Sequence, residues 1–175
     1  MGVRRVYRGR GDGFSAIEVI IVMMIIAIAA AMVLPRLGQT AATQLREAGK
    51  LVVADLEYAR SAAIAHGSDP RMVVFEPGED RYHVAARSSP QTAVEAPGVT
   101  GKYHVEFGQG RARSLDAVRL DSTDLTDNEL KFDMYGGTTR PADKGDAHIT
   151  LRCKGHTLTI TVDRVTGTAT MSELQ

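Results

Sequence analysis

The chain has 175 residues, a length that predicts one compact domain in addition to any N-terminal signal. It carries 21 basic and 21 acidic side chains, but residues 1–13 hold four arginines and one aspartate, so the remainder has three more acidic than basic side chains. A weakly acidic body argues against nucleic acid as a partner, because phosphates require a basic surface. The single cysteine, Cys153, excludes an intramolecular disulfide and a four-cysteine zinc site.

A long apolar segment follows the basic N-terminus. Residues Phe14 to Leu34 are interrupted by only two polar side chains, those of Ser15 and Glu18. A helix of this length is roughly 31 Å long, which is close to the hydrocarbon thickness of a bilayer. The preceding arginines predict that the N-terminus stays in the cytoplasm while the rest of the chain is translocated. Residues 14–34 are therefore predicted to form a transmembrane helix.

Three interpretations of this segment are open: a signal peptide cleaved near Ala29, a plain signal anchor, and a leader cleaved before the apolar residues. The small side chains of Ala27 and Ala29 fit the first. Glu18 favours the third, because a carboxylate inside a membrane helix costs roughly 2.5–3.5 kcal/mol and needs a counter-charge. Cleavage between Gly13 and Phe14 would create an α-amino group four residues before Glu18. That ammonium can pair with Glu18 within one helix or between adjacent subunits.

Gly13-Phe14-Ser15-Ala16-Ile17-Glu18, followed by the apolar segment, resembles the prepilin peptidase motif of type IV pilins and type II secretion pseudopilins. The resemblance implies that a prepilin peptidase cleaves after Gly13, that Phe14 becomes the N-methylated first residue, and that Glu18 registers the subunit during assembly. Pro35 lies where many members of these families have a proline that kinks the helix. Independently of the family, proline lacks an N–H group and clashes with the preceding turn.

Beyond Pro35 the spacing of apolar residues predicts an amphipathic helix that ends near Gly67. Its apolar stripe consists of Ala41, Leu45, Ala48, Val52, Leu56, Ala59 and Ala63. From Arg71 onward the apolar period changes to two, which is typical of strands. The predicted strands are Arg71–Phe75, Arg81–Ala86, Tyr103–Phe107, Val118–Leu120, Leu130–Met134, His148–Cys153, Thr157–Asp163 and Thr168–Met171, and Ser88–Thr100 is predicted to be a loop. One long helix packed against an antiparallel sheet is an α+β, pilin-like arrangement.

Two further segments resemble one particular branch of these families. Residues Leu56–Gly67 are similar to the helix end of the H-type minor pseudopilins and their FimT-like minor pilin relatives, and Leu158–Gly167 is similar to their closing strands. This resemblance implies a structural subunit of the type II secretion pseudopilus. The implied partners are the prepilin peptidase, other pseudopilins or pilins, inner membrane lipid and secreted cargo. A type IV minor pilin, with a role in pilus assembly or DNA uptake, is the alternative within this class.

No catalytic residue, metal ligand or cofactor is predicted. His148 and Cys153 lie at odd separation in one strand and should point to opposite faces, which argues against a metal site with His156. Gly108–Arg113 lacks the spacing of a phosphate-binding loop and is predicted to be a solvated loop. A Sec-secreted soluble protein remains the alternative from a different class.

The prediction divides the chain into four parts. Residues 1–13 are a cleaved leader, 14–34 a transmembrane helix, 35–67 an amphipathic helix that continues into the head, and 68–175 a β-rich soluble head. The protein is expected to reside in the inner membrane by a single pass, with its head on the periplasmic side, before it joins a periplasmic pseudopilus.

Overall fold

The computed structural model describes residues 15–33, 41–98 and 100–175. The chain divides between residues 39 and 40 into an N-terminal unit and a larger C-terminal unit, which is called the head below. The predicted leader, Phe14, Leu34 and the predicted kink at Pro35 lie outside the described residues.

The N-terminal unit contains helix α1, Ala16–Val33. It begins after Ser15, whose carbonyl oxygen accepts hydrogen bonds from the amides of Glu18 and Val19 at 3.0 and 3.2 Å. Ten large apolar side chains between Ile17 and Ile28 are from 46% to 68% exposed. Within the described ranges, no helix has both the length and the apolar character needed to cross a membrane.

Helix α2, Ala41–Ala65, is the central element of the head. The predicted apolar stripe is confirmed for six of its seven residues, because Leu45, Ala48, Val52, Leu56, Ala59 and Ala63 are all at most 1% exposed, whereas Ala41 is partly buried. The described part of the helix ends at Ala65, two residues before the predicted end at Gly67, and the predicted start at residue 35 lies outside the described ranges. One side of α2 thus forms the apolar surface on which the sheets pack.

In the described part of the chain, nine strands form two antiparallel sheets. They are β1 Arg71–Glu76, β2 Arg81–Ala86, β3 Ser89–Ala93, β4 His104–Glu106, β5 Arg119–Thr123, β6 Glu129–Lys131, β7 Ala147–Cys153, β8 His156–Val162 and β9 Ala169–Met171. The first sheet has the order β3-β2-β1-β6, and β4 pairs with β2 on the same side as β3. The second has the order β5-β7-β8-β9. One continuous core joins α2 to the inner faces of both sheets.

Three features of this arrangement differ from the sequence prediction. The predicted strand Leu130–Met134 extends only to Lys131, where β6 ends, and Met134 lies in a turn. The predicted loop Ser88–Thr100 is wrong in part, because Ser89–Ala93 forms edge strand β3. This strand is mostly exposed and contains Pro90, so it shows no apolar alternation. The single predicted sheet is in fact two, because β5 pairs with β7 and not with the strands before it.

The hairpin of β1 and β2 is closed by an ion pair that gives a pH-dependent prediction. Arg81 donates to the carboxylate of Glu76 from Nε at 2.9 Å and from Nη2 at 2.5 Å. These hydrogen bonds, together with the positive charge of Arg81, lower the pKa of Glu76 despite its partial burial. Stability from this pair is therefore present above about pH 4.5 and is lost as the pH falls through the lower pKa of the folded state.

We expect Glu76→Gln to lower the free energy of unfolding by about 1 kcal/mol at pH 7, since the pair is partly exposed. The difference from the wild type should disappear as the pH falls from 6 to 3, and urea denaturation across this range measures it. Glu79→Gln is the control, because Glu79 contacts the same arginine but is 59% exposed. A difference that is independent of pH would contradict this account.

Candidate functional site

The sequence predicts three functional residues in the N-terminal segment: Gly13 and Phe14 for processing and Glu18 for assembly. The structure describes Glu18, whereas Gly13 and Phe14 lie outside the described residues. Glu18 lies in the first turn of α1, three residues after Ser15, and its side chain is exposed. Ser-x-x-Glu is the spacing of a capping box, and a carboxylate at this position interacts favourably with the positive end of the helix dipole. The helix itself therefore tolerates this acid, which is surrounded by apolar residues.

The remaining surface of α1 is apolar on every side between Ile17 and Ile28. Such a helix has no polar face to turn toward water, so it requires apolar surroundings such as lipid or other helices. This is the property expected of a helix whose packing is completed outside its own chain.

In the head, a buried acid joins α2 to the strands. Asp55 is 3% exposed and lies among the apolar residues of α2. Tyr82 of β2 donates its hydroxyl hydrogen to Oδ2 of Asp55 at 2.6 Å, and the hydroxyl of Tyr103 donates to Oδ1 at 2.9 Å. Both carboxylate oxygens are thereby bound by side chains that follow α2 in the sequence.

Arg111 completes this group of four residues. Its guanidinium forms an ion pair with Asp55 and lies over the ring of Tyr103, 4.7 Å from the ring centroid. Tyr103 also stacks in parallel on Tyr58 of α2, with ring centroids 4.8 Å apart. We call Asp55, Tyr82, Tyr103 and Arg111 the Asp55 clamp, because they fasten the segment 103–111 to α2.

Burial governs the ionisation of the Asp55 clamp. Loss of solvent raises the pKa of Asp55, and this effect exceeds the opposite effects of the Tyr82 hydrogen bond and the Arg111 charge. Burial, followed by the nearby Asp55 carboxylate, raises the pKa of Tyr103 to about 12 and that of Tyr82 well above its ordinary value. The tyrosines therefore stay protonated and act as donors, which is a structural role and not that of a general base.

Sequence reasoning missed this group. The predicted solvated loop at Gly108–Arg113 is mostly exposed, and Arg111 is itself exposed, but residues from Gly110 onward form the 3-10 helix Gly110–Leu115. The prediction missed that Arg111 also pairs with Asp55, fifty-six positions earlier in the chain. One signal was available: Asp55 follows Val52 by three positions, so the helical period places an acid on the apolar stripe. A charged residue at such a position is rarely buried without a partner.

The predicted divergence of His148 and Cys153 is confirmed, since Cys153 is buried and His148 is exposed on the same strand. His156 is also exposed. Among the residues that the structure describes, no group of three or more His, Cys, Asp or Glu side chains is arranged to hold a metal ion.

Comparison with protein-family models finds no match, and comparison with curated proteins finds none either. Among solved structures, the chain is similar to the minor pseudopilin EpsH from the type 2 secretion system of Vibrio cholerae, with a TM-score of 0.52 and 12% sequence identity. The similarity covers 74% of this chain and 96% of that one. The chain therefore has a pilin-like, α+β minor pseudopilin fold, although it shares few residues with that protein.

Proposed function

We propose that this protein is a minor pseudopilin, a structural subunit that assembles with other pseudopilins into the periplasmic pseudopilus of a type II secretion system. The observation that carries the proposal is the combination of a head with a minor pseudopilin fold and a preceding helix that is apolar on every side. A structural role also fits the head, where the buried carboxylate of Asp55 accepts hydrogen bonds from the hydroxyls of Tyr82 and Tyr103. The similarity to the H-type, FimT-like branch gives the proposed subtype.

Processing and membrane insertion follow from the N-terminal sequence. A prepilin peptidase would cleave the leader, residues 1–13, between Gly13 and Phe14 and methylate the new amino group of Phe14. Residues 14–34 would then hold the subunit in the inner membrane, with a kink at Pro35, residues 35–67 leading into the head, and the head on the periplasmic side. During assembly, the ammonium of Phe14 would neutralise Glu18 of the same or an adjacent subunit.

Mass spectrometry of the N-terminus tests this processing. When the chain is produced together with a prepilin peptidase, the mature protein should begin with N-methylated Phe14, and without the peptidase it should keep residues 1–13. A mature protein that begins near Ala30 would contradict the proposal and would show instead that the chain is a Sec-secreted soluble protein.

The choice between secretion and a type IV pilus is tested in cells. Deletion of the gene should reduce the release of type II secretion substrates while surface pili and DNA uptake remain normal. Loss of pili or of DNA uptake, with normal secretion, would assign the chain to the minor pilins.

A further inference from the structure

A polar hollow of about 380 Å³ opens beside the first sheet, between β6 and the segments 124–126 and 138–144. This volume is within the range of small-molecule and peptide-side-chain sites. The charged residues of its lining are Arg87, Lys131, Arg140 and Lys144, with Asp124 and Glu129 as the acids. We call it the Arg140 hollow.

Two of the four positively charged side chains of the Arg140 hollow form ion pairs with acidic residues, and two do not. Lys131 contacts Glu129 with Nζ at 2.6 Å from Oε2, and Arg140 contacts both carboxylate oxygens of Asp124. Arg87 and Lys144 are exposed, and neither forms an ion pair with any residue that the structure describes. Two positive charges thus remain available on the walls.

Hydrogen bonds hold the wall that contains Arg140 in place. The guanidinium donates from Nη1 to the backbone oxygen of Asp124 at 3.1 Å and from Nη2 to that of Lys144 at 3.3 Å. Asp124 is itself fixed, because its Oδ1 accepts a hydrogen bond from the amide of His148 in β7 at 2.8 Å. A site fixed in this way loses little entropy when a ligand binds.

One donor of this wall has no acceptor. The side chain of Arg140 is 10% exposed, and its Nε–H is buried without a hydrogen-bond partner among the described residues. Such donors are rare in folded proteins because leaving them unpaired is unfavourable. This nitrogen has no contact with solvent, so the charged groups that the hollow offers directly to a ligand are those of Arg87 and Lys144.

We propose that the Arg140 hollow binds a pair of neighbouring carboxylates, carried either by a small dicarboxylic acid or by two consecutive acidic side chains of a partner protein. The two uncompensated cations, Arg87 and Lys144, match two negative charges. Leu125 and Pro141 also line the hollow and contact the methylene groups of such ligands. Inorganic phosphate has no apolar part, so carboxylates on a carbon chain fit this lining better.

Calorimetric titration of the purified full chain in detergent micelles tests the proposal, and it does not depend on a role in a filament. The probes are succinate, the capped dipeptide acetyl-Glu-Glu-amide, its neutral analogue acetyl-Gln-Gln-amide and inorganic phosphate. Succinate or the acidic dipeptide should bind, and the neutral dipeptide and phosphate should bind at least about tenfold more weakly. Tighter binding of the dipeptide identifies a protein segment as the source of the carboxylates, and tighter binding of succinate identifies a free acid.

The double variant Arg87→Glu, Lys144→Glu should lower the affinity for the preferred acid by about tenfold or more. Both side chains are exposed, so the fold should be kept, and the melting temperature checks this. Arg113→Glu with Lys154→Glu is the matched control, since it makes the same change in net charge at exposed residues outside the hollow. Absence of binding by both acids, equal binding of phosphate, or an equal loss in the control would overturn the proposal.

Discussion

Replacement of Glu18 by alanine is expected to reduce incorporation of the subunit into filaments by at least about tenfold while cleavage after Gly13 continues. In the proposed assembly, the substitution leaves the ammonium of Phe14 without its negatively charged partner. An unpaired charge in apolar surroundings costs roughly 2.5–3.5 kcal/mol. Incorporation can be measured from the amount of the subunit in sheared or cross-linked filaments, and cleavage from the mass of the mature chain.

Glu18→Gln separates this role from helix capping. Glutamine serves in a capping box as glutamate does, so the variant keeps the possible contact with the start of α1 but removes the charge. If Glu18 acts as a counter-charge, both variants should fail to assemble. Normal assembly of the glutamine variant would show that Glu18 only starts the helix, and normal assembly of both would refute the registration role.

Replacement of Asp55 by alanine is expected to lower the free energy of unfolding of the head by about 3 kcal/mol, which makes it the most destabilising change proposed for the head. The substitution leaves the hydroxyl of Tyr82, which is 1% exposed, without its acceptor and leaves Arg111 without its counter-charge. Urea denaturation at pH 7, followed by circular dichroism, measures the change.

Two further variants define the origin of this effect. Tyr82→Phe removes one hydrogen bond and should cost about 1 kcal/mol. Glu47→Ala is the matched control, because Glu47 is an exposed acid of the same helix, and it should change stability by no more than about 0.5 kcal/mol. If Asp55→Ala were as mild as the control, the Asp55 clamp would not be an important source of stability.

Most elements of the head could be predicted because their local patterns are strong. The apolar stripe of α2 and the alternating apolar residues Leu158, Ile160 and Val162 of β8 each arise because one side of the element is buried. Burial of one side gives a helix or a strand its apolar period in the sequence. β3 could not be predicted in the same way. An exposed edge strand has no buried side, so its sequence does not alternate between apolar and polar residues. The division into two sheets depends on which strands pair, and strand pairing over long separations has no local signal.

The candidate site likewise contains residues that stand out in the sequence and residues that do not. Glu18 is conspicuous in the sequence because it is a single acid in an apolar segment, and the structure places it in the first turn of α1, while its role in assembly stays a prediction. The partners of Asp55 could not be identified, because Arg111 lies in a segment whose composition is that of an ordinary loop. Only the three-dimensional path of the chain brings these residues together.

If the head is translocated to the periplasm as proposed, the sequence distances within the Asp55 clamp constrain how it folds while the chain crosses the membrane. Asp55 contacts residues 27, 48 and 56 positions later, so its two hydroxyl donors emerge first, and its positively charged partner is missing until the chain has emerged through Arg111. Chains that terminate before this residue are expected to keep an uncompensated carboxylate on the stripe of α2 and to be degraded. Folding of the head is therefore expected to be a late event in translocation, completed only after most of the polypeptide has crossed.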